Sequence, residues 1–125
     1  CNVASGGTPL KAEKQYWESG TIPWLKSEVC KERPVFYASD YITELGLRKS
    51  SAKLFDKNTT LIALVGATKC KTAFLMINAS TNQNIAGIKS INEEYLIDKF
   101  IFYYLLNLYN DLIMTMGAYE MLNLV

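Results

Sequence analysis

Two stretches of the chain gather side chains that can bind or react. Gly66-Ala67-Thr68-Lys69-Cys70-Lys71-Thr72 sets hydroxyls, two ammonium groups and a thiol close together. A nucleotide-hydrolysing phosphate loop needs four residues between its glycines and then Gly-Lys-Ser/Thr, so that backbone amides wrap the phosphates. Here Cys70 stands at the second glycine, the loop is one residue short, and it joins two strand-like runs where a phosphate loop would open a helix. Nucleotide hydrolysis is rejected on those grounds. What remains is Thr68, Lys69 and Lys71 at the tip of a strand pair, where lysines act as point charges and a hydroxyl as a donor toward backbone phosphates. An ordinary lysine-bearing turn has the same composition.

Cys70 lies between two lysines, a setting that lowers a thiol pKa and favours a nucleophilic thiolate. The chain has no histidine. That removes Ser-His-Asp and Cys-His mechanisms, imidazole general bases and His-ligated zinc, and no carboxylate partner for the thiol is evident. Glu93 and Glu94 are adjacent, so at a helix start they point to different faces and make no acid/base pair. The second stretch is Asn82-Gln83 after Ser80-Thr81, and it has two readings. Such amides can fork onto adenine, or they can satisfy buried backbone groups.

These groups must be positioned by a single small domain. The chain has 125 residues, 50% hydrophobic and 20% charged, with mean hydropathy +0.04. A chain of this size builds one core without staples. Cys1, Cys30 and Cys70 are odd in number and lack metal spacing, which reads as reduced thiols in a cytosolic protein. The longest uncharged apolar stretch, Phe100 to Asn110, is too short to cross a membrane, which takes about 20 residues. The missing initiator Met suggests a fragment of a longer polypeptide. The net charge of +1 hides a regional pattern. Residues 1–43 balance five basic against five acidic groups, residues 44–89 carry seven against two, and residues 90–125 carry one against five. A basic middle of net +5 is either a face for polyanions or a solvated lysine-rich surface.

Several elements are predicted. Gly6-Gly7-Thr8-Pro9 reads as a turn. Tyr16, Trp17, Ile22, Pro23 and Trp24 form an aromatic cluster around Gly20. Val35–Tyr37 and Tyr41–Ile42 are short β-prone runs. Residues 60–65 and 72–77 read as buried strands joined as a hairpin through Gly66 to Lys71, and residues 85–88 as a third strand. Ser90 and Glu93 match a capping box, with Asn92 as a competing cap, for a helix from Tyr95 to about Asn110. Strands early and one helix late give an α+β fold.

The motifs fall in a recognisable order: Gly6-Gly7-Thr8-Pro9, Tyr16-Trp17, Gly20-Thr21-Ile22-Pro23-Trp24-Leu25, Ile42-Thr43-Glu44-Leu45-Gly46-Leu47, Ser50-Ser51-Ala52-Lys53-Leu54, Leu61 through Thr68, and Ala79-Ser80-Thr81-Asn82-Gln83. This set resembles the target recognition domain of the specificity subunit of type I restriction–modification enzymes, from residue 1 to about residue 110. The resemblance implies a mixed, mostly antiparallel β-rich domain with one long C-terminal helix, occupying residues 1–125 and lacking its opening residues and the family's spacer helix. It implies a non-catalytic, cytoplasmic module without cofactor or metal that reads one half of a bipartite double-stranded DNA target. Its implied partners are a second recognition domain, methyltransferase (modification) subunits and restriction subunits. Two other contexts stay open. One is a protein-interaction module docking through Tyr95–Glu120 on methyltransferase subunits or forming a half-subunit dimer. The other is the recognition part of a single-chain restriction–methylation enzyme.

Domains of this kind share their motifs while reading different targets, so shared residues build scaffold or hold phosphates and base discrimination lies between the motifs. Gly6, Gly7, Thr8, Pro9, Trp24, Gly66, Asn82 and Gln83 are the expected scaffold. Lys49, Lys53, Thr68, Lys69 and Lys71 are the phosphate candidates. Base reading is expected in Lys26 to Tyr41, from Lys26, Lys31 and Arg33, and also from Arg48; the two arginines lead because a guanidinium forks onto guanine O6 and N7. The sequence departs from the family pattern at Cys70, where glycine is usual. If that position needs positive φ, cysteine there costs about 1–2 kcal/mol. The family also closes with a glycine-rich turn, a Gln and an Asn-containing strand, where this chain has Gly117, Glu120 and Asn123.

Overall fold

A computed structural model describes residues 1–92 and 94–123; for residues 110 and 112–123 it describes the backbone alone. The strands are β1 (Asn2–Ser5), β2 (Ile22–Leu25), β3 (Arg33–Val35), β4 (Asp40–Ile42), β5 (Leu54–Phe55), β6 (Thr60–Ala63), β7 (Thr72–Leu75), β8 (Ala79–Thr81) and β9 (Ile85–Lys89). Two α-helices join them, α1 (Glu44–Arg48) and α2 (Tyr95–Asn123), with 3-10 turns at Lys14–Tyr16 and Ser27–Val29.

The strands form a five-stranded sheet in the order β1-β9-β6-β7-β3 and a four-stranded sheet in the order β4-β2-β8-β5. Only β2–β8 and β3–β7 pair in parallel among the described residues; the other pairings are antiparallel. Leu25 and Ala79 from the smaller sheet meet Leu61, Ala63, Ala73, Leu75 and Ile85 from the larger one, so the sheets stack around one core. Every residue of β7 is buried. Alternation explains this: Ala73 and Leu75 face the smaller sheet, while Phe74 meets Phe102 of α2 with ring centroids 5.4 Å apart. A fully buried Phe74 is worth about 1.5–3 kcal/mol. The layers therefore run helix, large sheet, small sheet, the α+β arrangement with a single long C-terminal helix expected from the sequence. On the outer face of the small sheet, Trp24, Ile42 and Ala52 make a second cluster with Trp17, Ile22 and Leu47.

The predicted hairpin is present as β6–β7, but both arms are shorter than expected. Ala63 exchanges backbone bonds with Cys70 and Lys71, which closes the loop, and Leu64 turns away to bond the Asn84 carbonyl. Leu64 and Val65 are consequently exposed, at 42% and 47%. At the other end Met76 leaves β7 to bond the Val35 carbonyl. β1, β2, β5, β8 and α1 are not among the elements expected from the sequence, and the β-prone run Val35–Tyr37 is a strand only at Val35, where β3 ends.

Ser90 is not the N-cap of α2: its hydroxyl accepts from the Glu94 backbone N–H at 3.1 Å, but the helix begins at Tyr95, and the Glu94 carbonyl accepts its first bond, from Asp98. The partner expected for Ser90, Glu93, lies outside the described residues. Asp98 fixes the helix start to β9: its carboxylate accepts from Lys89 Nζ at 2.7 Å and from the Ser90 N–H at 2.8 Å. The helix backbone passes Asn110, where its end was expected, and continues through Gly117 to Asn123, where the family pattern has a glycine-rich turn and a strand.

Candidate nucleic-acid interface

Register brings distant parts of the chain to one end of the five-stranded sheet. Ser5 faces Ala86, Ala63 faces Ile85, Ile62 faces Thr72, and Arg33 faces Ala73. At about 4.8 Å per strand the backbone there spans roughly 19 Å, broad enough for a major groove about 12 Å wide. The hairpin loop with Thr68, Lys69 and Lys71 projects from the middle of this end. Lys31 and Arg33 stand at its β3 edge, exposed to solvent. Glu32 donates its backbone N–H to the Thr72 carbonyl at 2.7 Å, which holds the Lys31–Arg33 segment beside the arm carrying Lys71. Lys71 also places its ammonium 5.8 Å from the Tyr109 ring of α2.

Other cations of the sequence reading are placed differently. Lys26 reaches the same end, because the preceding Leu25 carbonyl accepts from Asn82, but its ammonium faces Asp40 at 3.7 Å. Both groups are more than two-fifths exposed, so the pair is weak and displaceable. Lys53 donates to the Ser5 carbonyl at 2.9 Å, on the opposite, β1 edge of the sheet. Arg48 and Lys49 close α1 on the outer face of the small sheet, in a different layer from Arg33. The structure thus brings Lys31, Arg33, Lys69, Lys71 and Thr68 toward one another and leaves Arg48, Lys49 and Lys53 apart.

The residues expected to build scaffold interlock behind this end. Gly6 and Gly7 carry backbone into spaces where a Cβ would sit 2.1 Å from Thr81 Oγ1 or 2.2 Å from Ser51 Oγ. The Trp24 indole N–H donates to the Gly7 carbonyl at 3.0 Å, and the Thr8 hydroxyl bonds the Gln83 side chain. Asn82 accepts from the Asn84 N–H through its side-chain oxygen at 3.1 Å, which engages the amide in a local turn. Pro9 is fully buried under this clamp. Gly66 opens the hairpin loop at φ +82°.

Cys70 adopts φ +69° in the loop, the left-handed conformation that explains why glycine suits this position. Cys30 is wholly buried, and burial pushes its thiol pKa up to about 12, which leaves it protonated and unreactive. Among the described residues no group of three or more His, Cys, Asp or Glu is placed to hold a metal ion, and no helix is long and apolar enough to cross a membrane.

One pair of residues escaped the sequence reading. A cleft of about 470 Å³ runs along the β3 edge, lined by Glu28, Val29, Lys31, Arg33, Phe36 and Tyr37 among others. Phe36 is 61% and Tyr37 80% exposed. Both fall inside Lys26–Tyr41, the segment expected to read bases, where an aromatic pair close to Arg33 is the signal that marks them.

The family model for the type I restriction modification DNA specificity domain matches residues 1–124. The EcoR124I/EcoR124II specificity subunit of Escherichia coli is 32% identical over 101 residues, covering 78% of this chain and 24% of the relative. The EcoprrI specificity subunit of Escherichia coli is 28% identical over 109 residues, covering 86% of this chain and 27% of that one. The chain spans about a quarter of the length of these relatives. The fold matches the HsdS subunit from Thermoanaerobacter tengcongensis with TM-score 0.62 at 16% identity, covering 90% of this chain and 26% of that one. A chain solved in a study of complex assembly and conformational transition of the type I R-M system gives TM-score 0.63 at 18% identity, with 90% and 26% covered. The protein described here belongs to the type I restriction modification DNA specificity domain family.

Proposed function

We propose that this domain reads one half of a bipartite duplex DNA target and performs no chemistry itself. In this reading methyltransferase and restriction subunits act on the DNA, a second recognition domain reads the other half, and the assembly works in the cytoplasm. The observation that carries it is the β3–β7 pairing, which sets Lys31 and Arg33 beside the lysine-bearing hairpin. Lys69 and Lys71 supply sequence-independent attraction to phosphates, and Arg33 supplies a fork for guanine in the major groove. The test is a salt titration of the complete polypeptide bound to its methyltransferase subunits, since a half-site reader alone lacks the avidity of the assembly. Affinity falls steeply with salt, and Lys69→Ala weakens target and non-target duplexes alike. Affinity indifferent to salt contradicts the reading.

A second reading concerns α2. Leu96 is 81% exposed, Phe100 65%, and Tyr103 and Tyr104 53% each, so the helix shows solvent an apolar flank. Such a flank supports docking on a protein subunit. Leu96→Ser with Phe100→Ser then abolishes co-purification with the methyltransferase, while Lys69→Ala and Lys71→Ala leave it intact.

A further inference from the structure

We propose that Phe36 and Tyr37 form the apolar half of the reading surface, recognising thymine through its 5-methyl group beside the base contacts of Arg33. The inference rests on the DNA-reading proposal above and extends it to residues of another chemical type.

Pro34 cannot donate a backbone hydrogen bond, and the pairing with the β7 side runs out at the Val35 carbonyl, which accepts from the Met76 N–H, so β3 ends at Val35. The next two residues are freed from the sheet. An adjacent Phe and Tyr at this point would ordinarily turn one ring inward, yet both stay largely in solvent, at 61% and 80% exposure. Neither ring belongs to a core cluster among the described residues. Leaving so much aromatic surface in water forgoes burial that a small domain can use, which points to an occupant supplied from outside.

The surroundings say which occupant. The two rings wall the same cleft as Lys31 and Arg33, with Val29 and Val35 also lining it and Glu28 as its one carboxylate. An apolar wall next to a guanidinium and an ammonium is matched to a surface that is anionic overall and carries isolated apolar groups. The major groove is such a surface: phosphates flank it, guanine offers acceptors for the arginine fork, and thymine projects the only methyl group. Aromatic rings meet that methyl without needing a hydrogen-bond partner, and a cation beside them favours the phosphate rim.

The experiment uses the complete polypeptide co-purified with its methyltransferase subunits. Sequencing of methylated host DNA gives the target, and duplexes are then made with uracil replacing each thymine, in turn, in the half-site assigned to this domain. Uracil differs only by lacking the methyl, whose burial corresponds to about a fourfold change in affinity. Uracil at one or more positions is expected to weaken wild-type binding by about fourfold. Phe36→Ala or Tyr37→Ala abolishes that penalty, whereas Arg33→Ala retains it. Because both aromatic residues are exposed, these variants keep the fold. The proposal is overturned if the half-site contains no thymine, if every uracil duplex binds as tightly as its parent, or if both variants keep the full penalty. Loss of subunit co-purification in Phe36→Ala also overturns it and assigns the cleft to a protein contact. A wild-type complex that does not distinguish the target from a scrambled duplex overturns the DNA-reading proposal itself, and this one with it.

Discussion

The backbone N–H of Glu32 meets the carbonyl of Thr72 at 2.7 Å, joining two segments that the sequence keeps forty residues apart. That bond and the Arg33–Ala73 register tie the β3 edge to the hairpin arm. If Lys71 serves as a phosphate contact on this platform, Lys71→Ala lowers affinity for target and random duplexes by the same factor and reduces the salt slope by about one. Filter binding at several salt concentrations measures both. A selective loss on the target alone would reassign Lys71 to base reading.

Cys70 occupies φ +69° and is buried, at 6% exposure, so two effects oppose each other in any substitution. Comparing Cys70→Gly with Cys70→Ala separates them. Alanine keeps the Cβ that the left-handed conformation disfavours, so the glycine variant is expected to be the more stable of the two by about 1 kcal/mol. Urea unfolding of both variants shows the order. The reverse order would mean that the loop relaxes to negative φ.

Asp98 couples α2 to β9, and its titration is a readout of that coupling. Burial alone would raise its pKa, but the hydrogen bonds from Lys89 and the Ser90 N–H outweigh burial and hold it below the ordinary carboxylate value. A depressed folded-state pKa contributes stability that is present above the unfolded value of about 3.9 and is lost as pH falls through the lower, folded value. Thermal unfolding between pH 6 and pH 2 is therefore expected to show an acid loss that Asp98→Asn largely lacks. The substitution should cost about 2–3 kcal/mol at neutral pH, because it leaves the largely covered Lys89 without its partner.

Gly7 tests the clamp behind the interface. A Cβ there would lie 2.5 Å from the Ser51 carbonyl carbon as well as against its side chain, so backbone must move. Gly7→Ala is expected to destabilise the domain by about 1–3 kcal/mol and to weaken binding in proportion. A variant with unchanged unfolding midpoint would show that the turn is free to shift.

What the sequence disclosed, and what it hid, follows from these same contacts. β6, β7 and β9 were legible because both faces of the large sheet are covered, which leaves continuous apolar runs around Leu61, Phe74 and Ile85. β1 was not, since an exposed edge strand reading Asn-Val-Ala-Ser needs only backbone pairing. β8 was hidden by its chemistry: Ser80 and Thr81 are fully buried, their hydroxyls satisfied by the carbonyls of Pro23 and Asn82. Ile22, Pro23 and Trp24 read as part of an aromatic cluster and not as a strand, because β2 buries Trp24 on one face and Leu25 on the other. The cations were legible as types, but their grouping was not. Lys31 and Arg33 stand beside Lys71 through a parallel pairing that no local pattern encodes, and Lys53 is drawn off by the Ser5 carbonyl. Phe36 and Tyr37 were misread because an aromatic pair after Pro34 has the composition of a strand.

The most direct test is the methylation motif written by the complete enzyme carrying Arg33→Ala, set beside those of wild type and Lys69→Ala. Arg33→Ala is expected to accept more than one base at a single position of one half-site, with the other half-site unchanged, while Lys69→Ala keeps the motif and methylates more slowly. A motif identical to wild type in the Arg33 variant, at undiminished rate, would contradict base reading by Arg33.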